Sequence, residues 1–250
     1  MDFKDILQDF AEQLKASFLH LVYPSTCLHC KALLIPSSLV LCSSCASLLK
    51  LASLYDRCPV CFNLIEDEYS IPCKECAHFP SPYKRMASAF DYDGPAASLI
   101  KRLKYSNQPY LANGMAGFLV TQFDRLQWPI PDALIPVPIS FTHRMERGYN
   151  QSALLAKEMG ALLKRPVWDI LRRQSGDYSQ AALNFDQRRG LEVKNFKMKL
   201  NCPLEGKMLL VVDDVMTSGS TLRRCAEVLQ EQHPGSLYAL TFCRTILPMF

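Results

Sequence analysis

Hydrophobic and polar positions change period along residues 81–250 in a way that predicts strands and helices in turn. Short apolar runs bounded by turn residues are typical of buried strands, whereas apolar residues at steps of three and four are typical of helices. The predicted strands cover residues 86–92, 133–137, 167–171, 208–212 and 237–242. The predicted helices cover residues 96–103, 111–126, 151–163 and 221–230. This alternation predicts an α/β fold, a mostly parallel sheet flanked by helices, with ligands at the carboxyl ends of the strands.

The first 24 residues have a helical period instead. Their apolar positions predict an amphipathic helix ending near Pro24, with the apolar face Phe3, Ile6, Leu7, Phe10, Leu14, Phe18 and Leu21. The polar face is acidic, which suits packing against the protein better than binding to an anionic membrane surface. No apolar run approaches about 18 residues and no signal-peptide pattern opens the chain, so we expect a cytoplasmic protein without a transmembrane segment.

Composition and charge narrow the choice of function. Hydrophobic residues make up 49% and charged residues 21% of the 250 residues, which is typical of a folded globular protein. Residues 1–80 have a net charge of −3 and residues 81–250 a net charge of +7, so an anionic ligand is expected in the second part. Pro80, Ser81 and Pro82 mark a linker. We therefore predict a domain of residues 1–80 and a ligand-binding domain of residues 81–250.

Eight of the 11 cysteines lie in four Cys-x-x-Cys pairs. The pairs are Cys27 and Cys30, Cys42 and Cys45, Cys58 and Cys61, and Cys73 and Cys76. Two such pairs supply the four thiolates of a tetrahedral zinc site, and the 31-residue repeat of the pattern indicates two tandem units. A cross-braced arrangement, in which the first pair combines with the third and the second with the fourth, stays open.

Four thiolates leave no open position on the metal, so we expect two structural zinc ions that fold the first domain. A disulfide scaffold is the alternative, but disulfides need an oxidising compartment. Redox chemistry at the Cys-x-x-Cys pairs is a further alternative, but none of the pairs follows a βαβ pattern.

The strand at residues 208–212 runs into two acids and then into a small polar turn. Free amides and hydroxyls at a helix N-terminus bind phosphate, and Gly219 lets the backbone approach it closely. Asp213 and Asp214 are suited to sugar hydroxyls or to a Mg²⁺ shell. A ribose with a monophosphate fits both parts, and the structural alternative is a strand followed by a simple helix cap. The predicted phosphate-binding residues are Val215, Met216, Thr217, Ser218, Gly219, Ser220 and Thr221.

Two basic segments supply further candidates. One follows the strand at residues 133–137, where guanidinium groups suit a pyrophosphate by charge and by geometry. The other covers residues 172–189 and has the polar, glycine-containing composition of a lid that excludes water from an activated pyrophosphate. The residues assigned to the pyrophosphate or the lid are Pro138, Ile139, Ser140, Arg144, Arg147, Arg173, Gln180 and Arg188.

The order of these motifs resembles the ComF family of competence-associated proteins, which join an N-terminal zinc finger to a type I phosphoribosyltransferase domain. The resemblance is carried by the cysteine pairs, by Lys104-Tyr105, Pro136-Val137-Pro138 and Arg147-Gly148-Tyr149-Asn150-Gln151, and by residues 212–221. It implies that Asp213 and Asp214 are the catalytic pair, which binds the ribose diol of phosphoribosyl pyrophosphate together with Mg²⁺. It also implies that residues 217–221 hold the 5-phosphate.

The resemblance leaves two main functions open. One is a phosphoribosyltransferase, in which Mg²⁺ and the arginines stabilise the leaving pyrophosphate. The other is a non-catalytic scaffold or single-stranded-DNA-binding module, favoured by the lack of a recognisable nucleobase pocket. Regulation of transcription is a third and weaker interpretation. The implied partners are phosphoribosyl pyrophosphate, single-stranded DNA and proteins of DNA uptake, at a cytoplasmic location or at the inner face of the cytoplasmic membrane.

Overall fold

The computed structural model describes residues 25–35, 39–65, 73–173, 196–199 and 202–246. The chain divides into two compact units, Met1–Lys50 and Leu51–Phe250. The helix predicted for residues 1–24 lies outside the described residues. Among the helices described, none is both long and apolar enough to cross a membrane.

The first unit has little regular structure in its described part. Its one-turn helix α1 is Ser43–Ala46, and an antiparallel bridge joins Thr26 to Leu33 around the first Cys-x-x-Cys turn. The buried residues in this part are Cys27, Leu34, Leu41 and Cys45. So few apolar side chains do not form a sufficient core, which agrees with folding around a metal ion.

The second unit contains a four-stranded parallel sheet in the order β1-β6-β5-β2. Val167 extends the sheet beyond β2 through a parallel bridge to Leu134. A short antiparallel ribbon of two strands, β3 and β4, lies outside the sheet. The strands are β1 Arg85–Asp91, β2 Ala133–Pro136, β3 Leu171–Arg173, β4 Phe196–Met198, β5 Met208–Met216 and β6 Ser236–Arg244.

Helices cover both faces of the sheet. On one face, Leu209 and Val211 of β5 pack in a core cluster with Leu222 and Leu229 of helix α7. On the other face, α4 contacts β1 and β6, and α6 contacts β2 and β5. The helices of this unit are α2 Lys74–His78, α3 Gly94–Tyr105, α4 Leu111–Arg125, α5 Phe141–Arg147, α6 Gln151–Leu163 and α7 Ser220–Gln230. The predicted parallel sheet flanked by helices is confirmed.

The third and fourth cysteine pairs belong to the second unit, where they lie beside the edge strand β1. The amide of Met86 in β1 donates to the carbonyl of Val60 at 2.7 Å, and the carbonyl of Ala89 accepts from Ala52 at 2.8 Å. Backbone hydrogen bonds therefore attach the segment around Cys58 and Cys61 to the sheet. The predicted domain boundary near residue 80 stays a prediction, because spatial division into units does not measure which segment folds by itself.

Candidate functional site

The predicted strand, acid pair, turn and helix form one continuous element. Strand β5 extends through both acids to Met216, and α7 begins at Ser220 after a three-residue turn. Gly219 precedes the helix with a φ of 71°, in the left-handed region that only glycine adopts at little cost. This turn lies at the carboxyl edge of the sheet, where parallel α/β folds bind their ligands.

The turn has backbone amides that form no hydrogen bond with the residues that the structure describes. The amides of Thr217, Ser218 and Gly219 donate to no backbone or side-chain acceptor among the described residues. Thr217, Ser218 and Ser220 are exposed, and the hydroxyl of Ser218 donates to that of Ser220 at 3.2 Å. Together with the N-terminal end of α7, these groups can hold an anion such as a phosphate.

Asp213 is buried beside the turn, with 8% of its surface exposed. Its Oδ1 accepts from the hydroxyl of Ser152 at 2.7 Å and from the amide of Asp214 at 2.9 Å. Burial, and then the charge of Asp214, raise the pKa of Asp213 to about 7, against the lowering effect of the Ser152 hydrogen bond. A carboxyl group with such a pKa changes its protonation easily when a ligand brings charge to the site.

Asp214 is 6% exposed and pairs with a lysine. The Nζ atom of Lys104, in the last turn of α3, lies 2.9 Å from Asp214 Oδ1. Sequence reasoning assigned Lys104 no role at the acid pair, although the Lys104-Tyr105 motif was a signal that could have found it. The lysine compensates one of two neighbouring buried carboxylates, which otherwise disfavour each other's ionisation.

The segment after β2 begins next to β5. The amide of Val137 donates to the carbonyl of Val212 at 3.0 Å, Pro138 is buried, and Ile139 is half-buried. The hydroxyl of Ser140 caps α5 by accepting from the amide of His143 at 3.3 Å. Within α5, Arg144 is exposed to solvent. The basic segment is thus placed at the carboxyl edge of β2, beside the strand that carries the acid pair.

The five-residue motif 147–151 holds this segment in place. Gly148 ends α5 with a φ of 78°, and the Tyr149 hydroxyl donates to the carbonyl of Leu103 at 2.7 Å. The Asn150 side chain donates to the carbonyl of Val137 at 2.9 Å and also caps α6 by accepting from the amide of Ser152 at 3.1 Å. Asn150 therefore fixes both the loop after β2 and the serine that contacts Asp213, two supporting roles that sequence reasoning missed.

The arginines of the two basic segments differ in their surroundings. Arg147 lies over the ring of Tyr105 at 5.0 Å and donates to Gln151 at 3.4 Å. Arg173 lies on β3, with its guanidinium 5.7 Å from the ring of Phe196. Gln180 and Arg188 lie outside the described residues. The structure thus places Arg147 at the end of the segment that follows β2, whereas the lid stays a prediction.

The eight paired cysteines form two groups of four that could each bind a metal ion. The groups are Cys27, Cys30, Cys42 and Cys45, and Cys58, Cys61, Cys73 and Cys76. Within each group all sulfur atoms lie within 4.8 Å of one another, and three sulfur pairs are 3.5, 3.7 and 3.9 Å apart. A tetrahedron with metal–sulfur bonds of about 2.3 Å has edges of about 3.8 Å, so these distances fit a tetrathiolate site. The structure selects the tandem arrangement over the cross-braced one.

The thiols of the second group differ in how easily they ionise. The side-chain hydrogen bond with Cys58, followed by burial, raises the pKa of Cys61, and burial raises the pKa of Cys76. A hydrogen bond from the side chain of Cys61 lowers the pKa of Cys58 to about 4, with further help from the amides of Cys61 and Val60 and against the effect of burial. All four cysteines of this group are buried. The donor set suits a metal that prefers sulfur ligands.

The fold and site define a class of protein with a parallel α/β sheet, a buried acid pair followed by a turn with open amides, and two groups of four cysteines that could each bind a metal ion. No protein-family profile matches the chain. It is 29% identical over 232 residues to the DNA utilization protein YhgH of Salmonella typhi, covering 90% of this chain and all of that protein. It is 29% identical over 211 residues to competence protein F of Haemophilus influenzae, covering 82% and 90%.

The third relative, competence protein ComFC of Bacillus subtilis, is 26% identical over 211 residues, covering 82% of this chain and 84% of that protein. These relatives confirm the resemblance to the ComF family. Among solved structures, a purine phosphoribosyltransferase from Pyrococcus horikoshii aligns with a TM-score of 0.36 and 13% identity, covering 53% of this chain and 81% of that one.

Proposed function

We propose that the protein binds phosphoribosyl pyrophosphate with Mg²⁺ at the carboxyl edge of β5, as a ComF-type protein of DNA uptake. The observation that carries the proposal is the succession of buried acid pair, turn with open amides and helix N-terminus. A ribose 5-phosphate needs acceptors for its hydroxyls and donors for its phosphate. This element supplies both within nine consecutive residues, 213–221.

Each part of the site has its own task in this proposal. Asp213 and Asp214 accept hydrogen bonds from the ribose hydroxyls, and the turn of residues 217–221 donates to the 5-phosphate. Ser152 and Lys104 hold the two carboxylates in position. Bound Mg²⁺ would neutralise charge on the pyrophosphate. Arg144 and Arg147 follow β2 and supply positive charge on the side from which pyrophosphate would leave.

Ligand binding should also change the protonation of Asp213. A carboxyl group with a pKa of about 7 is partly protonated at neutral pH. Only its ionised form accepts two hydrogen bonds from a diol without donating its own proton. We therefore expect binding to release protons near pH 7, which calorimetry in buffers of different ionisation enthalpy measures directly.

The two groups of cysteines are proposed to hold structural zinc ions. Their donor set is four sulfurs at tetrahedral spacing, and zinc is the metal that such a set selects most often. Neither group has a place left for a water ligand, so the ions are assigned to folding and not to catalysis.

Titration calorimetry of the full chain with phosphoribosyl pyrophosphate and Mg²⁺ tests the binding site. We expect the double variant Asp213→Ala/Asp214→Ala to lose at least about 10-fold in affinity, because each good hydrogen bond to a charged group contributes about 1.5–3 kcal/mol. Asp132→Ala is the matched control, since Asp132 accepts from the amide of Met208 at the opposite end of β5. Equal affinity of the double variant and the wild type would refute the site.

The second candidate is a module that binds single-stranded DNA without catalysis. The relatives named for competence and DNA utilization favour it, as does the surface at the end of α3. There Tyr105 and Tyr110 are 73% and 60% exposed, close in sequence to Lys101 and Arg102. Stacking and positive charge of this kind bind single strands.

A salt titration separates the two candidates. Binding of a single-stranded oligonucleotide that weakens with salt, and that Tyr110→Ala reduces, favours the DNA-binding module. Turnover of phosphoribosyl pyrophosphate with an acceptor base favours the transferase. A cytoplasmic protein, free or at the inner face of the membrane, is the location proposed with either function.

A further inference from the structure

Arg244 is a buried cation at the end of β6 whose role the binding proposal does not use. Its exposed fraction is 2%, and its Nη1 donates to the carbonyl of Cys61 at 2.5 Å. Its Nη2 lies 3.4 Å from Glu75 Oε2. Cys61 is a member of the second group of cysteines, and Glu75 lies between two other members, Cys73 and Cys76. The guanidinium therefore attaches β6 to both Cys-x-x-Cys turns of that group.

The same arginine contacts the strand that leads into the phosphate-binding turn. Arg244 pairs in register with Met216, and its Nη1 lies 3.4 Å from the Met216 sulfur. The amide of Thr245 donates to the carbonyl of Met216 at 2.9 Å. The Met216 sulfur in turn lies 4.0 Å from the position that a Cβ would take at Gly219. Arg244 thus contacts the residue that directly precedes the turn of residues 217–219.

Charge explains why a buried arginine is tolerated here. Glu75 is partly exposed and lies 3.4 Å away, too far for a strong pairing with a guanidinium. Four thiolates around a divalent ion carry a net charge of about −2, which compensates the arginine through the adjoining Cys61 peptide. A loaded metal site therefore suits Arg244 in its observed position.

We propose that Arg244 is a positioning residue that couples metal binding at the second group of cysteines to the phosphate-binding turn. The inference rests on the proposed function of that turn. When the metal holds Cys61, the Cys61 carbonyl fixes the guanidinium, and the guanidinium fixes Met216 and the turn. When the metal is lost, Cys61 is released, Arg244 loses its acceptor, and the turn loses affinity for a phosphorylated ligand.

Hydrogen exchange on the full chain tests the coupling without any ligand. The variant Cys58→Ser/Cys76→Ser removes the second metal, and Cys27→Ser/Cys45→Ser removes the first as the matched control; metal analysis confirms each loss. We expect the amides of Arg223 and Thr245, which donate to the carbonyls of Gly219 and Met216, to exchange at least about 5-fold faster in the first variant only, the lower end of typical coupling between sites. No acceleration, or equal acceleration in both variants, would overturn the proposal.

Arg244→Met supplies an independent measurement in a chain that keeps both metals. We expect the same acceleration at the amides of Arg223 and Thr245, and an affinity for phosphoribosyl pyrophosphate reduced about 5-fold or more. Arg57→Met is the control, because Arg57 is also a buried arginine next to the second group but pairs with Asp91 at 2.8 Å. Unchanged exchange in Arg244→Met refutes the coupling. Absence of ligand binding in the wild type refutes only the proposed function.

Discussion

Replacement of Asp213 by asparagine should stabilise the protein at alkaline pH while it weakens ligand binding. The asparagine side chain is close in shape to the protonated side chain of Asp213. Its oxygen can keep the hydrogen bonds from the Ser152 hydroxyl and from the backbone amide of Asp214. What the change removes is a buried negative charge beside Asp214. The structure therefore predicts that ionised Asp213, a residue of the proposed site, lowers the free energy of unfolding.

The size of the effect follows from the pKa. Burial and the charge of Asp214 raise the pKa of Asp213 from its ordinary value of 3.8 to about 7. Between these pH values the folded chain keeps a proton that the unfolded chain has released, so the free energy of unfolding falls as pH rises from about 4 to about 7 and is level above that. A difference of about 3 pH units corresponds to about 4 kcal/mol. The asparagine side chain has no such ionisation, so the variant should gain most of this amount above pH 8.

Denaturant unfolding of both proteins from pH 6 to pH 8.5, in buffer with zinc, measures the difference. The free energy of unfolding of the wild type should fall relative to that of Asp213→Asn by about 1.4 kcal/mol between pH 6 and about pH 7.5, and the difference should then stay constant to pH 8.5. Asp214→Asn is the contrasting variant, because it removes the partner of Lys104 and should destabilise the chain. Parallel curves for the wild type and Asp213→Asn, or a variant less stable at pH 8.5, would refute the reasoning.

Other changes test the residues that position the proposed site and the proposed metal ions. Gly219→Ala should cost about 1 kcal/mol in unfolding experiments and weaken phosphate binding, because alanine is strained at a φ of 71° although no atom blocks its Cβ; an unchanged stability would contradict this. Asn150→Ala should cost about 1–2 kcal/mol, since the Val137 hydrogen bond and a helix cap are lost together, whereas loss of the cap alone would give the lower figure. Lys104→Met should lower both stability and affinity for phosphoribosyl pyrophosphate, and full stability in calorimetry would show that Asp214 needs no cation. Metal analysis should find two zinc ions per chain, and a strong chelator should unfold the cysteine-rich segments by circular dichroism; one ion or none would contradict the tandem sites.

The element that carries the proposed site could be predicted from the sequence because it is a single continuous segment. The strand predicted at residues 208–212 was observed from Met208 to Met216, and the helix predicted from residue 221 begins at Ser220. One contiguous segment contains the acids, the glycine and the helix start. The periodicities on either side of it were also long enough to identify β6 and α6.

The contacts that complete the site could not be predicted, because they join residues far apart in the chain. Ser152 is 61 positions from Asp213, and Arg244 is 183 positions from Cys61. Such contacts depend on the register of neighbouring strands and on the angle at which a helix leaves the sheet, and neither is encoded in a local pattern. The strand predicted at residues 167–171 was reduced to a bridge at Val167 and the start of β3. Short apolar runs specify little beyond burial.

The bonds from Val60 and Ala52 to strand β1 also protect the protein against self-association. An edge strand with free backbone groups is a template on which another chain can add a strand. Here the Cys58–Cys61 turn occupies one of these groups, and both cysteines belong to the group proposed to hold a zinc ion. If this group holds zinc as proposed, cells grown without sufficient zinc should accumulate the protein as aggregates, because loss of the ion would expose the backbone groups of β1.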